Sequence, residues 1–275
     1  MVSRKKLINV EESQIIKWIE DDCTITLKKI KQKLKQDFQT QVSTSTIQRL
    51  IHEFYFSMKT IRLESERRND EETIETRFEY ANQFLQKISQ INDESLIFDD
   101  ETGFSISMKR KRGRSKKGAK AIKIVENIRT RNISICCAMN KNKIFKFEIK
   151  DRAYNQENFI DFLSSLFQLF NEEQIGNATL VMDNVPFHKT KKVKEFVEER
   201  GYTLLFLPPY SPFLNPIENL FSKWKNFVKL CNQKDEVQLM RLINEGTTII
   251  TKADCNNFYR NMIGYIHLCL STEKN

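Results

Sequence analysis

Asp183 opens the run DNVPFHKT at the end of an apolar stretch, and Glu218 follows inside LPPYSPFLNPIENLFSKWK, with thirty-four residues between the two acids. Upstream, the apolar run Leu96, Ile97, Phe98 closes on Asp99, Asp100 and Glu101, followed by Thr102, Gly103 and Phe104. Carboxylates delivered from two strand ends and a helix start suit two-metal phosphoryl transfer. Hard divalent cations take oxygen ligands, and a pair of them clamps the attacking and leaving oxygens of an in-line displacement. Without cations the cluster would resist assembly, because two ionised groups ~4 Å apart repel by about 4 kcal/mol at an effective dielectric of 20. Taken singly, each acid is equally well a strand-end turn former or a first-turn helix residue.

The elements that must position these acids are legible as hydrophobic periodicity. Ile15, Ile16, Trp18 and Ile19 mark a first helix, and Leu27, Ile30, Leu34 and Phe38 a second, which Thr26 caps. After a polar turn, Ser43 caps a third helix lined by Ile47, Leu50, Ile51 and Phe54. Three short helices about a tight turn read either as a helix-turn-helix or as a small bundle with no nucleic-acid role. In the first case Ser45, Thr46, Gln48, Arg49 and His52 form the polar face that enters the major groove. Residues 57–75 read as a charged linker, and Phe78, Ala81, Leu85 and Ile88 as a connecting helix.

From residue 95 the pattern becomes α/β, with strands expected at 95–100, 103–108, 131–139, 143–149, 178–183 and 203–207. Helices are expected at 155–170, 189–200 and 215–230, with a further helical segment at 235–270. Several strands followed by alternating helices and strands match an RNase H-like α/β fold, a mixed sheet flanked by helices, preceded by a small all-α domain. The expected boundaries are 1–56 for the helix-turn-helix, 57–92 for linker and connecting helix, 93–232 for the catalytic domain and 233–275 for a C-terminal helical segment. Asp100 then ends or nearly ends the first strand, and Asp183 follows a later one, the usual exit for functional groups in open α/β sheets. All five prolines lie between 186 and 216. They stiffen the approach to Glu218 and end at Pro216, a favourable first-turn residue.

The 275 residues carry a formal charge of +9, which favours a polyanionic partner. Residues 103–123 hold nine Lys or Arg and no acid, among them Lys109, Arg110, Lys111, Arg112 and Arg114. This segment reads as phosphate contacts beside the acids, as a nuclear localisation signal, or as a solvated hairpin. Six scattered cysteines without a C-x-x-C pair suggest neither zinc nor disulfides. Seven glycines with no phosphate loop argue against a nucleotide cofactor, and no apolar stretch reads as a membrane span or a secretory leader. An intracellular, non-secreted protein is the expectation.

DDETGF, VMDNVPFHKT and LPPYSPFLNPIENLFSKWK together resemble the three signature blocks of the Tc/mariner superfamily of DDE transposases, in the branch with thirty-four residues between second and third acids. The likeness extends over roughly residues 10–270. It implies that Asp100, Asp183 and Glu218 are the catalytic metal ligands, holding two Mg²⁺ ions for which Mn²⁺ can substitute. Asp99 stands where the family has an apolar strand residue. Asn184, His188 and Asn215 match positions with supporting roles, orienting carboxylates and loops. The resemblance also favours the helix-turn-helix reading, as the second of two family DNA-binding subdomains with the first missing.

The implied activity is cleavage of transposon ends and strand transfer into target DNA at TA sites. The implied partners are terminal inverted repeats, target DNA and a second copy of the chain in a synaptic homodimer, with a nuclear location in a eukaryotic host. Two other classes share these features: a domesticated or truncated DNA-binding derivative that does not cut, and another RNase H-like nuclease.

Overall fold

The computed structural model describes residues 7–59, 61, 65–109, 120, 122 and 132–271. The chain forms two compact units, Met1–Leu63 and Glu64–Asn275. In the first, α1 (Asn9–Asp21), α2 (Leu27–Phe38) and α3 (Thr44–Glu53) enclose a small core of Ile15, Trp18, Ile30, Leu34, Ile47 and Leu50. The caps are those expected from the sequence. The Thr26 side chain accepts from the Lys29 amide and that of Ser43 from the Thr46 amide, satisfying first-turn donors that would otherwise be orphaned. Gln39, at φ 56°, ends α2 in the left-handed region and makes the tight turn toward α3.

The second unit opens with α4 (Glu71–Ile88), which begins earlier than Phe78 because Asp70 caps it, its carboxylate accepting from the Thr73 amide at 2.8 Å. A five-stranded sheet follows in the order β3-β2-β1-β4-β5. Its strands are β1 (Leu96–Phe104), β2 (Ile133–Met139), β3 (Ile144–Lys150), β4 (Thr179–Met182) and β5 (Thr203–Phe206). β2 runs antiparallel to β1 and β3, whereas β1, β4 and β5 are parallel, so the sheet is mixed as expected. Helices α5 (Gln156–Glu172) and α6 (Lys191–Glu198) provide residues of one core. Helices α4, α7 (Pro216–Cys231), α8 (Glu236–Thr248) and α9 (Lys252–Leu270) provide residues of the other.

Strand alternation sorts side chains between these two cores. In β1, Phe98 and Phe104 join the core of α4 and α7–α9, while Ile97 joins that of α5 and α6. In β2, Ile133, Ile135, Cys137 and Met139 face the first core, and Cys136 and Ala138 the second. Within the first, Trp224 is fully buried between Phe104 and Phe147, with ring centroids 5.5 and 5.4 Å away. Its indole N–H donates to the Ile243 carbonyl at 2.9 Å, so it is a packing residue of α7.

In place of the strands expected at 95–100 and 103–108 there is a single strand through Phe104, followed by a turn in which the Met108 amide donates to the Ser105 carbonyl. β2 provides the reason, pairing β1 without interruption from Phe98↔Met139 to Phe104↔Ile133 and carrying Gly103 opposite Ser134. Asp100 therefore lies inside β1. It stands one residue past the last pairing with β4, Asp99↔Met182, where β4 has ended and Asp183 leaves the sheet.

Candidate active site

Adjacent residues of β1 point to opposite faces, and this separates the three acids of DDETGF. Asp100 faces α7. Its Oδ2 accepts a hydrogen bond from the Asn215 carboxamide at 3.1 Å, and its Oδ1 accepts from the Glu101 amide at 2.7 Å. Asp99 is completely buried on the other face, with Oδ1 3.4 Å from the Cys136 thiol and Oδ2 without a hydrogen-bond partner among the described residues. Glu101 shares that face, and its Oε1 accepts from His188 Nε2 at 3.1 Å.

Asp183, just beyond β4, is half-buried. Its Oδ1 accepts from the Val185 amide at 3.1 Å and from His188 Nδ1 at 2.8 Å. His188 is fully buried against Phe159 and Phe187, both 4.3 Å away between ring centroids. Burial alone would depress its basicity, but the hydrogen bonds to Asp183 and Glu101 outweigh it and hold the imidazole up at about 10. His188 is thus an imidazolium with both N–H groups donated to carboxylates, which leaves no ring nitrogen for a metal. Burial likewise raises the Asp183 carboxyl, and the His188 and Val185 hydrogen bonds bring it below its ordinary value.

Glu218 sits in the first turn of α7, after Asn215 at the cap and Pro216 at the first helical position. Asn215 is itself buried and has two roles. Its Oδ1 accepts from the Ile217 amide at 3.4 Å, while its Nδ2 anchors Asp100. The helix that presents Glu218 is therefore tied by its own cap to the first acid. Asn184 lies beside Asp183, half-buried, with no side-chain hydrogen bond to another described residue.

The electrostatics show that the three acids share one field. Asp100 is pushed up to about 8, by burial first and then by the charges of Glu218, Asp183 and Glu101. Glu218 is raised by desolvation and by Asp183, with Lys225 opposing. Lys225 in turn is lowered by desolvation, against the pull of Glu218 and Asp100. Asp99 also reaches about 8, from burial and then Glu101, but it is sealed from solvent.

Among the described residues no three His, Cys, Asp or Glu side chains converge to hold one metal ion. Mg²⁺ does not require that, since it is commonly held by one or two carboxylates with water and substrate phosphate completing its octahedron. The donor chemistry fits a hard cation: Asp100, Asp183 and Glu218 would offer only oxygen atoms, and the Asp100 carboxyl is raised by burial and then by the charges of Glu218 and Asp183.

In the helical unit Ser45, Gln48 and Arg49 of α3 are exposed, whereas Thr46 is half-buried with its hydroxyl 3.0 Å from that of Ser43, part of the cap. Lys109 donates to the Gln233 carbonyl just beyond α7. Arg110, Lys111, Arg112 and Arg114 lie outside the described residues. Two residues of the site, Glu101 and Lys225, do not stand out in the sequence. Lys225 had a signal, because seven residues from Glu218 is two helical turns and the same face. Glu101 had none, since its role depends on which face of β1 receives His188.

The profile of the family described as DDE superfamily endonuclease matches residues 95–241, which include all three acids. Among solved structures, the fold resembles the Mos1 transposase paired-end complex with left transposon end, at TM-score 0.81 and 16% identity, covering 100% of this chain and 81% of that one. The catalytic domain of Mos1 mariner transposase aligns at TM-score 0.59 and 14% identity, covering 77% of this chain and 97% of that one, so the mixed sheet with its flanking helices is the RNase H-like fold. A curated sequence, the uncharacterized protein y4pE/y4sA of Sinorhizobium fredii (strain NBRC 101917 / NGR234), is 44% identical over 46 residues, 17% of this chain and 32% of that protein. This chain thus matches about a third of that relative's length. With more than half of its residues within the family profile, the chain belongs to the DDE superfamily endonucleases.

Proposed function

We propose that the protein is a DNA transposase of the Tc/mariner type, in the thirty-four-residue spacing branch, that cleaves transposon ends and joins them to target DNA. The observation that carries this reading is that Asn215, the cap of the helix bearing Glu218, donates to Asp100, which stands one residue past the last pairing of β1 with β4, where Asp183 leaves the sheet. Support also comes from fold neighbours: Mos1 transposase structures include a strand transfer complex and paired-end complexes with Mg and with Mn.

In this account Asp100, Asp183 and Glu218 hold two Mg²⁺ ions, or Mn²⁺ in their place. When bound, the ions supply Lewis-acid activation of the attacking oxygen and stabilisation of the leaving oxygen. The chain's own residues do the positioning. Asn215 fixes Asp100 against the start of α7, and His188 fixes Asp183 against Glu101. Lys225 offsets the negative charge beside Glu218. The exposed face of α3, with Ser45, Gln48 and Arg49, reads the terminal inverted repeats, and Lys109 with the basic residues after it contacts phosphates. The active species is a homodimer that synapses two ends, inserts at TA sites and works in the nucleus of a eukaryotic host.

The test is a divalent-dependent nicking and joining assay on inverted-repeat DNA from the flanks of the gene. Cleavage followed by joining of a 3′-hydroxyl end to target DNA is the expected result. Tight binding without cleavage would instead identify a non-cutting derivative, and cleavage without joining another RNase H-like nuclease.

A further inference from the structure

The second unit buries one cation that the acids and their immediate partners do not use. Arg77 of α4 is 1% exposed, and among the described residues it donates to no carboxylate. Asp70, which caps α4, acts on it through charge, and Arg68 opposes it. A buried guanidinium without an ion-pair partner is costly, so the groups it does hold call for a reason. Its Nη2 donates to the Arg68 carbonyl at 2.8 Å and to the Asn69 side-chain oxygen at 3.0 Å, and its Nε donates to the Thr73 carbonyl at 3.3 Å. Thr73 adds a bond from its hydroxyl to the Arg67 carbonyl at 2.8 Å. The turn Glu66–Asn69, by which the chain enters the second unit, is thereby tied to α4.

The same guanidinium lies over the ring of Phe213, 5.8 Å from its centroid, and that of Arg68 lies 5.6 Å away. Tyr265 of α9 packs on this ring as well, with 5.0 Å between centroids. A cation is attracted to an aromatic face, and here two that repel each other converge on one ring. Phe213 sits in the middle of the short turn Pro212–Leu214, two residues before Asn215 and five before Glu218. The Leu214 and Asn215 amides donate to the Ser211 and Pro212 carbonyls, each at 3.0 Å, so the turn is stiff. A displacement of Phe213 is therefore passed to Asn215, which caps α7 and holds Asp100. An apolar side chain at position 77 would bury no charge and is often no less stable in such a place. It could not, however, grip the entering turn and the ring together.

We propose that Arg77 is a positioning residue of the active site, acting through Phe213 and Asn215 to hold Glu218 and Asp100 at the spacing that metal-dependent chemistry needs. It has no hydrogen bond to either acid, and its influence is carried by the turn that leads into α7. This inference rests on the reading of Asp100, Asp183 and Glu218 as metal ligands.

The test uses the full chain as wild type, Arg77→Met, Arg77→Lys, Phe213→Leu and the double variant R77M/F213L. Amide hydrogen exchange over residues 211–219 should be on the order of tenfold faster in Arg77→Met, with exchange in β4 and α5 unchanged. The Mn²⁺ concentration for half-maximal thermal stabilisation should rise by about tenfold or more. Single-turnover cleavage of inverted-repeat DNA should fall by a similar factor at saturating DNA, with DNA affinity unchanged. Arg77→Lys, which keeps a cation for the ring, should lose less than Arg77→Met in every readout. Phe213→Leu should show the same losses, and the double variant should lose no more than the worse single variant, because the two residues act in series. Wild-type exchange over 211–219 in Arg77→Met, or additive losses in the double variant, would refute the role. Faster exchange throughout the second unit would mark Arg77 as a residue of general stability and refute it equally. If wild type itself gains no stability from Mn²⁺, the metal reading fails, and the exchange of the single and double variants alone decides whether Arg77 orders the approach to α7.

Discussion

Asn215 joins the first acid to the helix of the third: its Nδ2 donates to Asp100 Oδ2 at 3.1 Å while its Oδ1 accepts the Ile217 amide at the start of α7. One side chain thereby sets the relation between a strand and a helix that must meet to within a fraction of an ångström for metal chemistry. Asn215→Ala should lose about 1 kcal/mol of stability through the lost cap, and about 10²-fold in kcat through the freed carboxylate. Asn215→Ser, which can cap but cannot reach Asp100 in the same way, should recover much of the stability and little of the activity. Chemical denaturation alongside single-turnover cleavage measures both, and full activity in Asn215→Ser would remove Asn215 from the positioning role.

His188 makes the corresponding link for the second acid, between Asp183 and Glu101. His188→Ala leaves two carboxylates facing each other with no cation between them, so loss of stability by about 3 kcal/mol or more is expected. Glu101→Gln keeps an acceptor for His188 Nε2 and should retain far more cleavage than Glu101→Ala, with a lower concentration of Mn²⁺ for half-maximal thermal stabilisation. Equal behaviour of the two Glu101 variants would show that the hydrogen bond to His188 does not matter.

Stability should depend on pH with a defined sign. Asp99 and Asp100, raised from 3.8 to about 8, and His188, raised from 6.5 to about 10, each keep a proton in the folded state that the unfolded chain has released. Their stabilising contribution is complete below the unfolded values and is lost as pH rises through about 8 for the carboxyls and about 10 for the imidazole. Asp183 is lowered and acts oppositely, losing its contribution as pH falls below the ordinary carboxylate range. In the absence of divalent ions the melting temperature should therefore decline from about pH 5 to about pH 9, and Mg²⁺ should stabilise more at the alkaline end. A melting temperature flat or rising over that interval would contradict the shifts.

Gly246 packs directly on Trp224: a Cβ placed there would meet the indole at 2.4 Å, with a phenyl carbon of Phe227 at 3.3 Å. Because Trp224 is held by Phe104, Phe147 and its bond to Ile243, it has little room to move. Gly246→Ala should destabilise by about 1–3 kcal/mol despite the better helix propensity of alanine. A denaturation midpoint at or above wild type would show that the packing of α8 on α7 yields.

The long-range plan is legible in the sequence because its signals are local. Thr26 and Ser43 cap the helices that their positions predict, and Asn215-Pro216 starts the helix of Glu218. The strands from β2 to β5 fall within their expected limits or close to them. At β1 the acidic run before Gly103 reads as a break, yet cross-strand pairing with β2 carries the strand through it. Residue type alone does not decide between Asp99 and Asp100. Alternation puts Asp100 on the side of α7 and seals Asp99 beside Cys136. Glu101 is hidden from the sequence for the same reason, its partner lying 87 residues away.

The central claim is that Asp100, Asp183 and Glu218 form one metal-dependent phosphoryl-transfer site. The most direct measurement is single-turnover cleavage of inverted-repeat DNA by wild type and by Glu218→Gln, with Mg²⁺ and with chelator, together with the affinity of each for the same DNA. Cleavage should require the metal and fall by about 10³-fold or more in the variant, while binding stays within about threefold. Cleavage by Glu218→Gln at the wild-type rate, or by wild type in the presence of chelator, would contradict the account.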